Sequence, residues 1–297
     1  MSETKKEDAM TTSSSFVDGT KGELIYRGYD IRDLGPNATY EEVVYLLWND
    51  KLPNAHELDL FKATLQAKRA IPEPLLNIMR SFPRDAQPMA VLRTAVSALG
   101  LLDSDADNVT LDAAREKALH LTAVMPTIVA AWERLRNGRE PIAPRPGLSH
   151  AANFLYMLDG EEPNPDGVAA FDSYLVMLAD HGFNASTFAA RVTTSTGSDM
   201  YSAITSAIGT LKGPAHGGAT QRSMEQFFAA ADRGDVEAWF NETLAAGKRI
   251  MGIGHRVYKV EDPRARILKP LAQKLAASSG KEQWFRVADT IEKLARS

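Results

Sequence analysis

Cysteine is absent from all 297 residues. That excludes a disulfide scaffold, a thiol nucleophile and a thiolate metal site, and says little about compartment. Long apolar runs are missing too: no stretch of about 18 apolar residues occurs, so no transmembrane helix is predicted. The opening MSETKKEDAMTTSSS lacks the apolar segment of a secretory signal, which makes the cytoplasm the expected compartment. Positive charge is not in excess, with 34 Lys and Arg against 38 Asp and Glu. This balance argues against the broad basic surface of a nucleic-acid binder, although a local patch could still meet a phosphate-bearing ligand. The sequence also lacks a GxxxxGK phosphate loop, a serine nucleophile elbow and any two histidines four residues apart, so no metal site is predicted.

What is present reads as a soluble, mostly helical protein. The apolar share is 44% and the charged share 24%, enough for one large core or two modest ones. Residues 1–15 are polar and are expected to form a flexible N-terminal segment. Asp18-Gly19 and Gly22 signal turns before Leu24-Ile25-Tyr26, and a short hairpin here is the only strand-like feature predicted.

Helical signals follow. Thr39 with Glu42, and Asn54 with Glu57, each read as a capping box that satisfies orphan amides at a helix start. Met89 to Leu102 is strongly apolar. Thr110 to Arg136 is one long periodic stretch, and Pro126 within it is expected to kink or divide the helix because proline has no amide to donate. GREPIAPRPG, Gly138 to Gly147, is a connector. Thr187 to Ala207 alternates hydroxyls with alanines, which predicts a central, closely packed helix pair. Ten or more helices with short connectors make an all-α fold, and no strand–helix alternation supports a nucleotide-binding α/β fold.

Three loops concentrate polar chemistry. In LKGPAHGGAT, His216 stands between a proline-bearing turn and two glycines, where backbone amides are exposed and an imidazole can donate to a developing oxyanion; it reads equally as an idle loop histidine. In MGIGHRVYKVEDPRA, His255 and Arg256 lie between glycines and the cations Lys259 and Arg264. Guanidinium and imidazole suit an anionic substrate and Lys259 and Arg264 suit phosphates, while the bland reading is an exposed basic turn. In LADHGFNAST, His181 and Asn184 close an apolar helix, a setting where a histidine is commonly a cap or packing group. His56, His120 and His150 have no polar cluster near them in sequence and read as structural or surface groups.

Taken together, these loops resemble the citrate synthase family, in its shorter bacterial and archaeal form that includes relatives using propionyl-CoA. KGELIYRGYDI (Lys21 to Ile31) is similar to the family's N-terminal signature, Asp180 to Ala219 to its central block, and MGIGHRVYKVEDPRA to its second histidine loop. Order and spacing match as well, from about Phe16 to the end. Two departures stand out: Gly182 where the family has glutamate, and Ala215 where a larger apolar residue is common.

The resemblance implies a multi-helical fold with a large domain over 16–217 and a smaller closing domain over 218–297, assembled as a homodimer or higher homo-oligomer. It implies condensation of oxaloacetate with acetyl-CoA, then thioester hydrolysis to citrate and CoA, with no metal and no resident cofactor. His216 would hold the acetyl carbonyl oxygen, His255 would protonate the oxaloacetate carbonyl, His181 and Arg256 would hold oxaloacetate, and Lys259 and Arg264 would lie near CoA.

The resemblance also places the family's enolising aspartate, in an NVDFYSG-like block, and two further substrate arginines beyond RVADTIEKLARS, where this chain stops. Three other readings follow: a non-catalytic or partial member with a structural or assembly role, a 2-methylcitrate synthase, and a different acyl-CoA lyase. A thioester methyl group is a very weak acid, and loss of a general base costs about 10²–10⁴-fold. The 297-residue polypeptide is therefore predicted to condense oxaloacetate and acetyl-CoA slower by that factor than one extended by the aspartate block. A steady-state assay returning about 1–10³ turnovers per second from the shorter polypeptide would refute this.

Overall fold

The computed structural model of the chain describes residues 12–254 and 257–296. Near the N-terminus a three-stranded antiparallel sheet forms, β1 (Ser15–Asp18), β2 (Glu23–Tyr26) and β3 (Tyr29–Asp30), with Phe16 opposite Ile25 and Val17 opposite Leu24. The expected hairpin is present and has gained a short third strand. Its period of two sends Leu24 and Tyr26 into the core.

Everything else regular among the described residues is helical. The elements are α1 (Ile31–Asn37), α2 (Tyr40–Asn49), α3 (Ala55–Ala67), α4 (Glu73–Arg80), α5 (Pro88–Leu102), α6 (Leu111–Arg136), α7 (His150–Asp159) and α8 (Pro165–Met177). They continue with α9 (Ala185–Thr194), α10 (Met200–Leu211), α11 (Gly218–Arg233), α12 (Val236–Ala245), α13 (Pro263–Ser278) and α14 (Glu282–Arg296). Both expected capping boxes close, at Thr39/Glu42 and Asn54/Glu57. Pro126 does not divide α6, which runs through it as one helix. Among the described residues, no helix is long and apolar enough to cross a membrane.

Three apolar clusters organise the packing. The largest joins α4, α5, α6 and α10 through Met79, Leu99, Val124, Ile128 and Tyr201. A second joins β2, α1, α2 and α8 through Leu24, Tyr26, Leu46 and Met177, with Ile267 of α13 against it. The third is smaller and belongs to α11, α12 and α14, around Ala230, Phe240 and Ile291. Helix α13 contacts α8 and α1 on one side and α14 on the other, so it bridges the last cluster to the rest.

The expectation of a central α9–α10 pair is corrected in part. The two helices pack on one another and α10 buries Tyr201, Ala203 and Ile208, but α9 buries no residue fully. Small residues let the helices approach, yet the described residues cover only one face of α9, leaving Phe188 and Val192 about half exposed (51% and 49%).

A polar cluster lies buried where α2, α7 and α8 meet. The Glu41 carboxylate accepts from the His150 amide (2.8 Å), and its other oxygen has no hydrogen-bond partner among the described residues. Arg69, also buried, donates to the Leu148 carbonyl (2.8 Å). His150 thus has charged neighbours after all: burial and the Arg69 charge push its imidazole down to about 4. His120 is likewise not isolated, because it shares a cavity with Lys68, Asp103 and Lys117. Sequence distance hid both clusters.

Asp172 caps the start of α2 by accepting from the Tyr40 amide (3.2 Å). Burial, with the Glu41 charge next, raises its carboxyl from 3.8 to about 6. A raised folded-state value means the folded protein holds the proton more tightly than the unfolded chain, so this contribution to stability is lost as pH rises from about 4 to about 6. Asp172→Asn keeps an acceptor without the charge. It is expected to raise the melting temperature at pH 8 and to have less effect at pH 4; equal shifts at both pH values in thermal melts would contradict this.

Candidate active site

The site grows out of the end of α8. There the Tyr26 hydroxyl donates to the Asp180 carbonyl (2.8 Å), with the Met177 carbonyl also in reach (3.1 Å), and accepts from the Asp180 amide (3.2 Å). Burial drives the Tyr26 hydroxyl far above its ordinary value, so it remains a neutral donor. The Ser15 hydroxyl donates to Asp180 Oδ1 (2.7 Å), and the Gly182 amide donates to the same Asp180 oxygen (2.8 Å) and to Ser15 Oγ (2.9 Å). Gly182 sits at φ +66°, the left-handed region where a side chain is strained. Glycine at this position therefore matches the backbone that carries His181.

His181 projects from this anchored turn, and its Nε2 lies 3.1 Å from the Tyr258 hydroxyl, the rings meeting edge to face. Burial, followed by the Asp262 charge, pushes the Tyr258 hydroxyl up to about 12. Three residues on, Asn184 caps α9 by accepting from the Ser186 and Thr187 amides (2.9 and 3.1 Å). That cap puts Ser186 in the first turn of α9, where its Oγ is 2.8 Å from His216 Nε2.

His216 itself rides on a compact turn after α10, its amide donating to the Gly213 carbonyl (2.9 Å). Beside it opens a pocket of about 650 Å³ lined by Asn184, Ser186, Arg191, Thr194, Leu211 and His216. The Arg191 guanidinium stacks 5.0 Å from the Phe183 ring centre, so the pocket holds a cation and an imidazole against largely apolar walls. Such a setting strengthens contacts to an anionic or polarised oxygen.

The second histidine loop is described only at its flanks, and His255 and Arg256 lie outside the described residues. On one flank Met251 donates its amide to Gln226 Oε1 (2.7 Å) and accepts at its carbonyl from Ser223 (3.3 Å), both on α11. On the other flank the Lys259 amide donates to the Gly19 carbonyl (2.7 Å), with the Lys259 side chain exposed. Arg264 is turned inward: its guanidinium donates to both carboxylate oxygens of Asp262 (2.9 and 2.6 Å) and lies 5.9 Å from the Tyr258 ring centre.

Loop residues far apart in sequence thus meet their partners: His181 with Tyr258, His216 with Ser186. Ser186 and Tyr258 escaped the sequence reading. The Asn184 cap two residues earlier is a signal that fixes where the Ser186 side chain points; for Tyr258 no local signal exists. Among the described residues, no cluster of three or more His, Asp or Glu side chains could hold a metal.

Comparison with known proteins places the chain in a family. The family model described as citrate synthase, C-terminal domain, matches residues 4–297. Citrate synthase of Haloferax volcanii is 48% identical over 283 residues, covering 94% of this chain and 75% of that protein. A 2-methylcitrate synthase of Mycobacterium tuberculosis is 43% identical over 281 residues, 95% of this chain and 71% of that one. In structure, the ternary complex of citrate synthase from Thermoplasma acidophilum with carboxymethyl coenzyme A and oxaloacetate superposes with a TM-score of 0.88 at 36% identity, over 95% of this chain and 75% of that one. A predominantly helical acyltransferase is the class this likeness supports. The chain belongs to the citrate synthase family. Enzymes of this family work without a metal or prosthetic group, and the CoA ester is a substrate.

Tyr26 carries the geometry of the His181 turn. Tyr26→Phe removes the hydroxyl from the half-buried Asp180 amide and carbonyl and is expected to destabilise the fold by about 1 kcal/mol. Urea unfolding would measure this, and an unchanged midpoint would show that the hydroxyl contributes nothing.

Proposed function

We propose that the chain carries the citrate-forming reaction: oxaloacetate condenses with acetyl-CoA, and the citryl thioester is hydrolysed to citrate and CoA. The observation that carries this is His216, held at Nε2 by Ser186 on the rim of the Arg191 pocket. With Ser186 engaging Nε2, Nδ1 is the nitrogen left to face a ligand. If Ser186 donates, Nδ1 bears the proton, and a neutral imidazole can hydrogen-bond the acetyl carbonyl oxygen while the methyl proton passes to the aspartate that the family resemblance implies and these 297 residues do not include.

His255 gives a proton to the oxaloacetate carbonyl as the carbon–carbon bond forms, and His181 and Arg256 hold the oxaloacetate carboxylates. Lys259 and Arg264 lie on the side of CoA. Arg264 is paired with Asp262, and Lys259 is exposed. Residues 16–217 act as the large domain and 218–297 as the domain that closes on it. The half-exposed Phe188 and Val192 of α9 support a homodimer as the working assembly. Soluble substrates fit a cytoplasmic setting.

The likeness to a 2-methylcitrate synthase keeps propionyl-CoA in the reading as the second acyl donor. The two donors differ by one methylene, worth about 1–3 kcal/mol in a pocket.

The test follows CoA release from each thioester, with and without oxaloacetate, using the 297-residue polypeptide and one extended by the aspartate block. Oxaloacetate-dependent release is expected, and His216→Ala should reduce it by about 10²–10³-fold, as loss of an oxyanion donor does. Release from neither polypeptide would overturn the reading, and comparison of the two thioesters decides the acyl donor.

A further inference from the structure

The N-terminal hairpin and the segment after the second histidine loop touch at the site. Its turn residue Gly19 accepts the Lys259 amide at 2.7 Å. A side chain at Gly19 would meet the Val257 carbonyl oxygen at 2.1 Å, so only glycine lets the two backbones lie this close. Between Val257 and Lys259 stands Tyr258, 4% exposed, with its hydroxyl 3.1 Å from His181 Nε2. His181 belongs to the turn after α8, which the same hairpin anchors through Ser15 and Tyr26. One small sheet therefore holds both ends of the His181–Tyr258 contact.

We propose that Tyr258 is a positioning residue of the site: its hydroxyl orients the His181 imidazole for oxaloacetate, and the hairpin tip at Gly19 holds Tyr258 in place. The proposal rests on the functional reading above for the ligand, and on the two contacts for the geometry. Three features restrain the tyrosine. Burial keeps its hydroxyl protonated. The His181 ring meets it edge to face, with centroids 5.5 Å apart. Arg264, fixed by Asp262, lies over its ring. A side chain so restrained spends little entropy in holding its neighbour, which is what orienting an imidazole requires. Tyr258 itself need touch no reacting atom.

The experiment compares the unaltered chain with Tyr258→Phe and Gly19→Ala. Calorimetry measures oxaloacetate affinity, and nitrogen NMR of histidine-labelled protein measures the His181 ring, assigned by its loss in His181→Gln. Thermal melting checks that each variant is folded. Tyr258→Phe keeps the ring and should melt within a few degrees of the parent. It should shift the His181 ring nitrogens and weaken oxaloacetate about tenfold, the scale of one hydrogen bond. Gly19→Ala should act in the same direction, because its methyl group must displace Val257. Unchanged affinity in Tyr258→Phe overturns the proposal, and unchanged affinity in a folded Gly19→Ala overturns the role of the hairpin. If the unaltered chain binds no oxaloacetate, the functional reading falls, and the positioning role then stands or falls on whether Tyr258→Phe moves the His181 resonances.

Discussion

The Tyr26 hydroxyl, buried where β2 meets the end of α8, is the contact on which the site's geometry hangs. It satisfies the Asp180 amide and carbonyl at the point where α8 runs out of its own hydrogen bonds. Asp180 then spends its side chain on Ser15 and Gly182, which turns the chain sharply and presents His181. Without this knot the turn would have to find other partners for buried polar groups, and those are costly to leave unmet. A sheet of ten residues in a helical protein thus serves mainly to hold a turn.

From that turn the site is built by succession. Asn184 caps α9, the cap directs Ser186 to His216, and α10 packs along α9 to bring the His216 loop back beside it. The remaining loop is held from two bodies, by Ser223 and Gln226 of α11 before it and by the hairpin after it. Helix α13, packed against both α8 and α14, joins the same two bodies elsewhere. Any relative movement of the third cluster against the others would therefore be felt at the segment that carries Tyr258.

Much of the fold was legible because it is locally encoded. Capping boxes at Thr39 and Asn54 and the turn signals of the N-terminal hairpin depend on neighbours within a few residues, and the structure contains all of them. Errors came where long-range packing competes with local preference. The Pro126 amide is missing, yet α6 runs on, its following turn buried through Thr127, Ile128 and Ala131. Small residues in α9 implied burial, but among the described residues only one face of that helix is covered and none of its residues is fully buried. His150 looked solitary because Glu41 and Arg69 stand far off in sequence.

The sequence by itself determined the helical class, the three polar loops and, through the order and spacing of those loops, the family. These are properties of residue type and short-range pattern. Only the tertiary structure decided which loop serves which: that Ser186 holds His216, that Asp262 neutralises Arg264, and that Tyr258 reaches His181 across 77 residues. Such pairings arise from helix packing and the closure of long chain segments. No local pattern encodes them, because the partners share nothing but a place in the folded chain.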